Sequence, residues 1–86
     1  MQGRAGDAVR VKHMIEAIDL IDTFLRNEDY HSYQKDLKLR LAIAKLLENM
    51  GEAASKVSSA LQEEYPDVEW SKIKDFRNVI AHEYFG

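Results

Sequence analysis

The 86-residue sequence predicts an all-α domain, built as an antiparallel helical bundle. Three segments carry apolar residues at the i, i+3, i+4 and i+7 spacing of a helix face, and no stretch alternates with period two as a β-strand does. One proline and four glycines argue against a disordered chain, and the length suits one domain rather than two. We expect residues 1–6 to be disordered and residues 7–86 to form the domain.

The first predicted helix runs from about residue 8 to residue 27. Its apolar face consists of Val11, Met14, Ile15, Ile18, Ile21 and Leu25. Asp7 precedes this face and is of a residue type that favours the N-cap position. Polar residues between positions 27 and 32 interrupt the apolar spacing and predict a connection.

A second, long helical segment is predicted from Tyr33 through Leu61. Gly51 lies inside it, although glycine costs a helix interior about 1 kcal/mol relative to alanine. A glycine at this position indicates either a bend or the close approach of another backbone, and we expect the close approach. Pro66 disfavours helical torsion angles in the preceding residue and therefore ends the segment.

The last predicted helix begins near Trp70 and carries the residues that bear most on function. On an ideal helix its apolar residues form one stripe, which we expect to be buried: Ile73, Phe76, Val79, Ile80 and Tyr84. The other side presents Arg77, Asn78, Ala81, His82 and Phe85. A cation, an amide and an imidazole here surround a small alanine, which lets a second helix approach closely. We expect this face to be exposed and to form an interface that contains a site.

The net charge of −3 argues against a protein that coats nucleic acid through bulk charge. Two stretches are nevertheless basic: residues 35–45 carry four basic side chains and one acidic side chain, and residues 71–86 carry three and two. If these stretches lie near each other, they form a local basic surface; otherwise they are ordinary solvated helix faces. Candidate contacts to RNA phosphate are Lys38, Lys72 and Lys74.

Several classes of site are excluded by residue type. The sequence has no cysteine, so it can form neither a disulfide nor a thiolate zinc site, which suits a reducing cytoplasm. His13 and His31 have no neighbours at metal-ligand spacing, and no glycine-rich phosphate loop occurs. The longest aliphatic run, from Leu41 to Ala44, is far too short for a membrane span. We expect a cytoplasmic protein with no metal ion, no cofactor and no membrane contact.

Arg77 and His82 supply the groups that cleavage of RNA by its own 2′-hydroxyl needs. An unperturbed imidazole titrates near pH 6.5 or so and can move protons at cellular pH, while a guanidinium can hold two phosphate oxygens. On an ideal helix the two side chains point about 140° apart, too far to converge on one phosphate unless the helix distorts or a second copy of the chain completes the site. A two-fold dimer would close that gap.

The sequence resembles the HepT-like HEPN ribonucleases. In "RNVIAHEYFG" an arginine, four intervening residues, a histidine and a tyrosine two positions later reproduce the signature of that family. The stretches "KHMIEAIDLI", "ENMGEAASKVS" and "EYPDVEW" are also similar to HepT-like proteins, in the same order and spacing. Members usually continue past this motif with a further helix, so we expect the C-terminal helix of the family to be absent here.

The resemblance implies a dimeric, HEPN-like helical bundle that acts as a metal-independent endoribonuclease toxin at its dimer cleft. It also implies pairing with a MntA-type nucleotidyltransferase antitoxin, which adenylylates the motif tyrosine. Carried onto this sequence, cleavage falls on Arg77 and His82, positioning on Asn78 and adenylylation on Tyr84. The alternative is a non-catalytic helical partner, or substrate-binding subunit, of a nucleotidyltransferase.

Each motif residue also has an ordinary structural interpretation. His82 would be a surface or capping histidine near a helix C-terminus, where the dipole favours a cation. Arg77 would form an ion pair within its helix, to Asp75 or Glu83. Tyr84 would pack at the edge of the core with its hydroxyl in water.

Overall fold

The computed structural model describes residues 4–83, which form five α-helices and no strand. The helices are α1 (Arg4–Leu25), α2 (Tyr30–Lys35), α3 (Leu37–Ser55), α4 (Ser59–Glu64) and α5 (Trp70–Glu83). Helix α3 is central, because it packs extensively against α1 and against α5 and more lightly against α2. The predicted all-α helical bundle is thus confirmed.

Helix α1 begins at Arg4, before the start at residue 8 that the apolar spacing predicts. It therefore takes in residues 4–6 of the segment expected to be disordered, while residues 1–3 lie outside the described part of the chain. Asp7 lies inside this helix and is not its N-cap, so that prediction is wrong.

The physical reason is a contact that sequence spacing cannot show. Asp7 is only 4% exposed, and its Oδ1 accepts a 2.7 Å hydrogen bond from the backbone nitrogen of Ser58. Its Oδ2 accepts a 2.5 Å bond from the Ser58 hydroxyl, whose oxygen in turn accepts from the backbone nitrogen of Leu61. Ser58 is the N-cap of α4, so the carboxylate of Asp7 ties the start of α1 to the start of α4.

The long helix predicted after residue 33 is divided into α2, α3 and α4. Asp36 has an extended backbone, with φ −100° and ψ 97°, and ends α2 while it caps α3 through a 3.0 Å bond from the Leu39 nitrogen. Asp29 forms a reciprocal capping box with Ser32, which starts α2 inside the predicted connection. Capping side chains thus end one helix and start the next within a stretch that apolar spacing alone predicts to be a single helix.

The core is built mainly from small and medium side chains, which let α3 lie close to its neighbours. Its buried apolar residues are Ala17, Ile43, Ala44, Ala53, Ala54, Val57 and Ile80. Many larger apolar side chains remain exposed, including Ile15, Ile18, Phe24, Phe76 and Val79. Exposed apolar surface of this kind is typical of an interaction face.

Within residues 4–83, no helix combines the length and the apolar character needed to cross a lipid bilayer.

Candidate functional site

The candidate site is organised by the contact between α3 and α5 at Gly51. Gly51 is buried, and a Cβ atom added to it would overlap the Cβ of Arg77. The same atom would lie 2.9 Å from the Cγ of Arg77 and 3.3 Å from the carbonyl oxygen of Ile73. The close approach expected at this glycine is confirmed, and it brings the aliphatic stem of Arg77 against the backbone of α3.

The guanidinium of Arg77 is held by a carboxylate on the neighbouring helix. Its Nη2 lies 2.9 Å from Oε2 of Glu52, and the two side chains are 27% and 45% exposed. The other oxygen of Glu52 lies 3.6 Å from the ammonium of Lys56, one turn along α3. Among the described side chains, the ion-pair partner of Arg77 is therefore on α3 rather than at Asp75 in its own helix, and the side chain of Glu83 lies outside the described ones.

One nitrogen of this guanidinium has no partner. The Nε of Arg77 is buried and makes no hydrogen bond in the described part of the chain, and the same holds for the Nε of Arg40 on α3. Because an arginine offers five N–H donors, the ion pair with Glu52 leaves donor capacity on Arg77 for a ligand.

The orientation of α5 differs from the predicted one. Of the residues in the predicted buried stripe, Ile80 is 4% exposed and Ile73 is half-buried, but Phe76 is 51% exposed and Val79 is 56% exposed. Arg77, predicted to be on the exposed face, is instead half-buried against α3. The expected burial of Phe76 and Val79 is wrong, because Gly51 admits the stem of Arg77 and so rotates the helix about its axis.

The remaining motif residues extend from this contact towards the C-terminal end of α5. Asn78 and Ala81 are half-buried, and His82 is exposed in the last turn. Tyr84 and Phe85 lie outside the described residues. The structure therefore places Arg77 beside α3, leaves Asn78 half-buried and leaves the imidazole of His82 accessible to solvent.

On a regular helix, Arg77 and His82 do not face the same site. Four residues separate them, which on a regular helix gives about 140° of rotation and about 7.5 Å of rise. The ion pair with Glu52 directs the guanidinium towards α3, whereas the imidazole lies in solvent. One phosphate can reach both groups only if they come from different chains or if the helix distorts.

The three candidate lysines are all exposed. The ammonium of Lys72 lies 3.4 Å from a carboxylate oxygen of Glu69, and Lys74 follows two residues later in α5. Lys38 lies at the start of α3, which on a regular helix is about 20 Å from the residue that contacts Arg77.

The basic stretch 35–45 overlaps the first half of α3, the helix that packs against α5. A hollow between the two helices is lined by Leu47 and Met50 of α3, by Ile73 and Phe76 of α5 and by Glu69, which precedes α5. This hollow and the contacts at Gly51 and Glu52 lie after the basic stretch in α3. The local basic surface therefore stays a prediction.

Glu52 is the site residue that sequence reasoning missed. It occurs inside "ENMGEAASKVS", one of the stretches that resemble HepT-like proteins, directly after the glycine singled out for close approach. That neighbouring glycine is the only signal that could have pointed to it. Among the described residues, no group of three or more histidine, aspartate and glutamate side chains is arranged to hold a metal ion.

Comparison with known families supports the resemblance carried by the motif. The model of the family described as "Ribonuclease HepT-like" matches residues 14–86. This match covers most of the chain, including Gly51, Glu52 and the whole arginine-to-tyrosine motif. No solved structure matches the chain.

Curated relatives agree with this match. The chain is 29% identical over 73 residues to "Putative RNase MJ1380" of Methanocaldococcus jannaschii, which covers 85% of this chain and 67% of the relative. It is 29% identical over 73 residues to "Putative RNase MJ1216" of the same organism, covering 85% and 60%. It is also 29% identical over 76 residues to "Probable ribonuclease HepT" of Thermococcus cleftensis, covering 88% and 69%. The chain thus spans 60% to 69% of the length of these relatives.

Proposed function

The chain belongs to the HepT-like ribonuclease family, and we propose that it is a metal-independent endoribonuclease whose site contains Arg77, Asn78 and His82. The observation that carries the proposal is the family match, which includes helix α5. On this helix Arg77 is half-buried and His82 is exposed. The names of the relatives, which describe them as ribonucleases, support the same activity.

The proposed reaction is attack of an RNA 2′-hydroxyl on the adjacent phosphodiester. A base removes the hydroxyl proton, a bond forms from the 2′-oxygen to phosphorus, and the bond from phosphorus to the 5′-oxygen breaks. The leaving oxygen takes a proton, which yields a 2′,3′-cyclic phosphate and a 5′-hydroxyl. The imidazole of His82 transfers protons, and the guanidinium of Arg77 stabilises the charge that builds on the phosphate oxygens. Asn78 positions the phosphate.

The proposed site is shared between two copies of the chain in a homodimer. The separation of Arg77 and His82 around α5 supports this arrangement, since a second chain can bring the missing group to the same phosphate. The exposed apolar side chains of Phe76 and Val79 support it as well, because a dimer contact would remove them from water. The half-buried Ala81 offers a small surface beside them for close approach.

The proposed biological setting is a toxin–antitoxin pair in the cytoplasm. In this proposal a MntA-type nucleotidyltransferase, the antitoxin, adenylylates Tyr84 and silences the ribonuclease. The motif carries a tyrosine at the position that the family modifies, which supports the assignment. Proposed RNA phosphate contacts are Lys38, Lys72 and Lys74, of which Lys74 lies nearest Arg77 in the sequence.

The decisive experiment is cleavage of purified RNA by the purified protein with EDTA present. We expect cleavage with cyclic phosphate ends, and we expect Arg77→Ala and His82→Ala each to reduce the rate at least about 100-fold. Matched controls are Arg26→Ala and His31→Ala, which change exposed residues outside α5 and should leave the rate unchanged.

Stability measurements on the same variants separate chemistry from folding. His82 is exposed, so His82→Ala should leave the melting temperature unchanged. Arg77 packs its stem on Gly51, so Arg77→Ala should lower the free energy of unfolding by about 1 kcal/mol. Full activity in both variants would rule out the ribonuclease and leave a helical partner of a nucleotidyltransferase as the function.

A further inference from the structure

We propose that Glu52 is a positioning residue of the ribonuclease site, which fixes the guanidinium of Arg77 before RNA binds. This inference rests on the function proposed above. It starts from the 2.9 Å contact between Nη2 of Arg77 and Oε2 of Glu52, which joins α5 to α3.

The carboxylate of Glu52 is itself held in place. Its Oε1 lies 3.6 Å from the ammonium of Lys56, so its two oxygens face two different cations. Glu52 and Lys56 share one face of α3, one helical turn apart, a spacing at which the ammonium favours this position of the carboxylate. The carboxylate is therefore a defined attachment point for the guanidinium.

Arg77 is restrained at both ends of its side chain. Gly51 leaves only enough room for its Cβ and Cγ, and the adjacent Glu52 binds its terminal nitrogen. An arginine fixed in this way loses less conformational freedom when a phosphate binds, and catalytic groups are most effective when they are held in place beforehand. Gly51 and Glu52 together thus set the position from which the cation acts.

The negative charge of Glu52 distinguishes a positioning role from a direct contact with RNA. A carboxylate repels phosphate, so removing the negative charge of Glu52 should leave RNA binding unchanged or make it tighter. Loss of the fixed guanidinium should instead slow the chemical step. A positioning residue therefore predicts a lower kcat without a higher KM, whereas loss of a phosphate contact raises KM.

The test is steady-state cleavage of a fluorogenic oligonucleotide by Glu52→Gln and Glu52→Ala. We expect kcat to fall about tenfold in both, with KM unchanged or lowered. The matched control is Glu63→Gln, which removes an exposed negative charge on α4 and should change neither constant. Adding Glu52→Gln to Arg77→Ala should cause no further loss, because the glutamate acts only through the arginine.

A second measurement reports positioning without activity. In nitrogen-15 NMR spectra, the guanidinium protons of Arg77 should exchange with water faster in Glu52→Gln than in the unmodified chain. If the unmodified protein cleaves no RNA, the proposed function fails, while this measurement still decides whether Glu52 holds Arg77. An unchanged kcat in Glu52→Gln, a raised KM, or unchanged proton exchange would overturn the role of Glu52.

Discussion

Gly51 of α3 lies directly against the stem of Arg77 on α5, with no room between them for a Cβ atom. One contact therefore sets the distance between the two helices and also places the cation of the candidate site. The next residue, Glu52, binds the head of the same arginine. Helix packing and the placement of this cation are consequently coupled at this point, and a change to the glycine should affect both.

The first prediction concerns Gly51→Ala. The added methyl group overlaps the Cβ of Arg77, and overpacking costs about 1 to 3 kcal/mol, against a gain of about 1 kcal/mol in helix propensity. Because the overlap is with a Cβ atom fixed to the backbone of α5, we expect a cost in the upper part of this range, about 2 to 3 kcal/mol. The net loss in the free energy of unfolding, measured by urea denaturation, should then be about 1 to 2 kcal/mol. Asn49→Ala, at an exposed position of the same helix, should not destabilise the protein. Equal stability of the Gly51→Ala variant would contradict the contact.

Much of α5 could be predicted from sequence, but its rotation could not. The start signals after Pro66 correctly predict the helix start near Trp70, and the apolar spacing places Ile80 in the core. It fails for Phe76 and Val79, because hydrophobic character alone does not tell which apolar residues face the core when an exposed apolar face is also present. The rotation of α5 is decided by the space that the missing side chain of Gly51 leaves, and Gly51 belongs to another helix, α3.

The contacts that organise the rest of the fold also join residues distant in sequence. Asp7 looks like an N-cap in the sequence, but its carboxylate binds Ser58, 51 positions away. Glu52 carries no local signal that it faces Arg77, since the pairing depends on how α3 and α5 cross. The sequence therefore predicts the fold class and contains the motif, whereas the contacts of Asp7 with Ser58 and of Glu52 with Arg77 can be seen only in the three-dimensional structure.

The second prediction is that the link between Asp7 and Ser58 is a major source of stability. The carboxylate is buried, and hydrogen bonds to charged groups are worth about 1.5 to 3 kcal/mol. We expect Asp7→Ala and Ser58→Ala each to lower the free energy of unfolding by about 2 kcal/mol or more, with non-additive effects in the double variant. Asp19→Asn, an exposed change on the same helix, should be neutral. Additive losses would show that the two side chains act separately.

The third prediction concerns the exposed apolar residues of α5. If Phe76 and Val79 lie in the proposed dimer contact, replacing both by serine should weaken association, because their burial on dimer formation would no longer be favourable. Ala81→Arg should have the same effect by blocking close approach. Sedimentation velocity over a range of concentrations measures both. Replacing Ile15 on α1 by serine is the control, and a dimer unaffected by every α5 change would place the contact elsewhere.

The fourth prediction is adenylylation of Tyr84. With a cognate nucleotidyltransferase and ATP, the intact mass should rise by an adenylyl group, and Tyr84→Phe should abolish that rise. The added negative charge and nucleotide bulk, in the same motif as Arg77, should compete with RNA for the cation and silence cleavage. Tyr65→Phe, which changes an exposed tyrosine outside the motif, is the control. A mass increase that persists in Tyr84→Phe would contradict the assignment.

The last prediction follows from the separation of Arg77 and His82 on α5. If each site takes its arginine from one chain and its histidine from the other, a dimer of one Arg77→Ala chain and one His82→Ala chain keeps one complete site. Random pairing makes about half of the dimers mixed, and each mixed dimer has one intact site of two, so about one quarter of the unmodified activity should return. Mixing the two inactive variants, with denaturation and refolding to exchange subunits, tests this by RNA cleavage in EDTA. Each variant taken alone through the same treatment is the control. No recovery in a mixture shown to contain mixed dimers would mean that the two groups do not act across the dimer contact in this way.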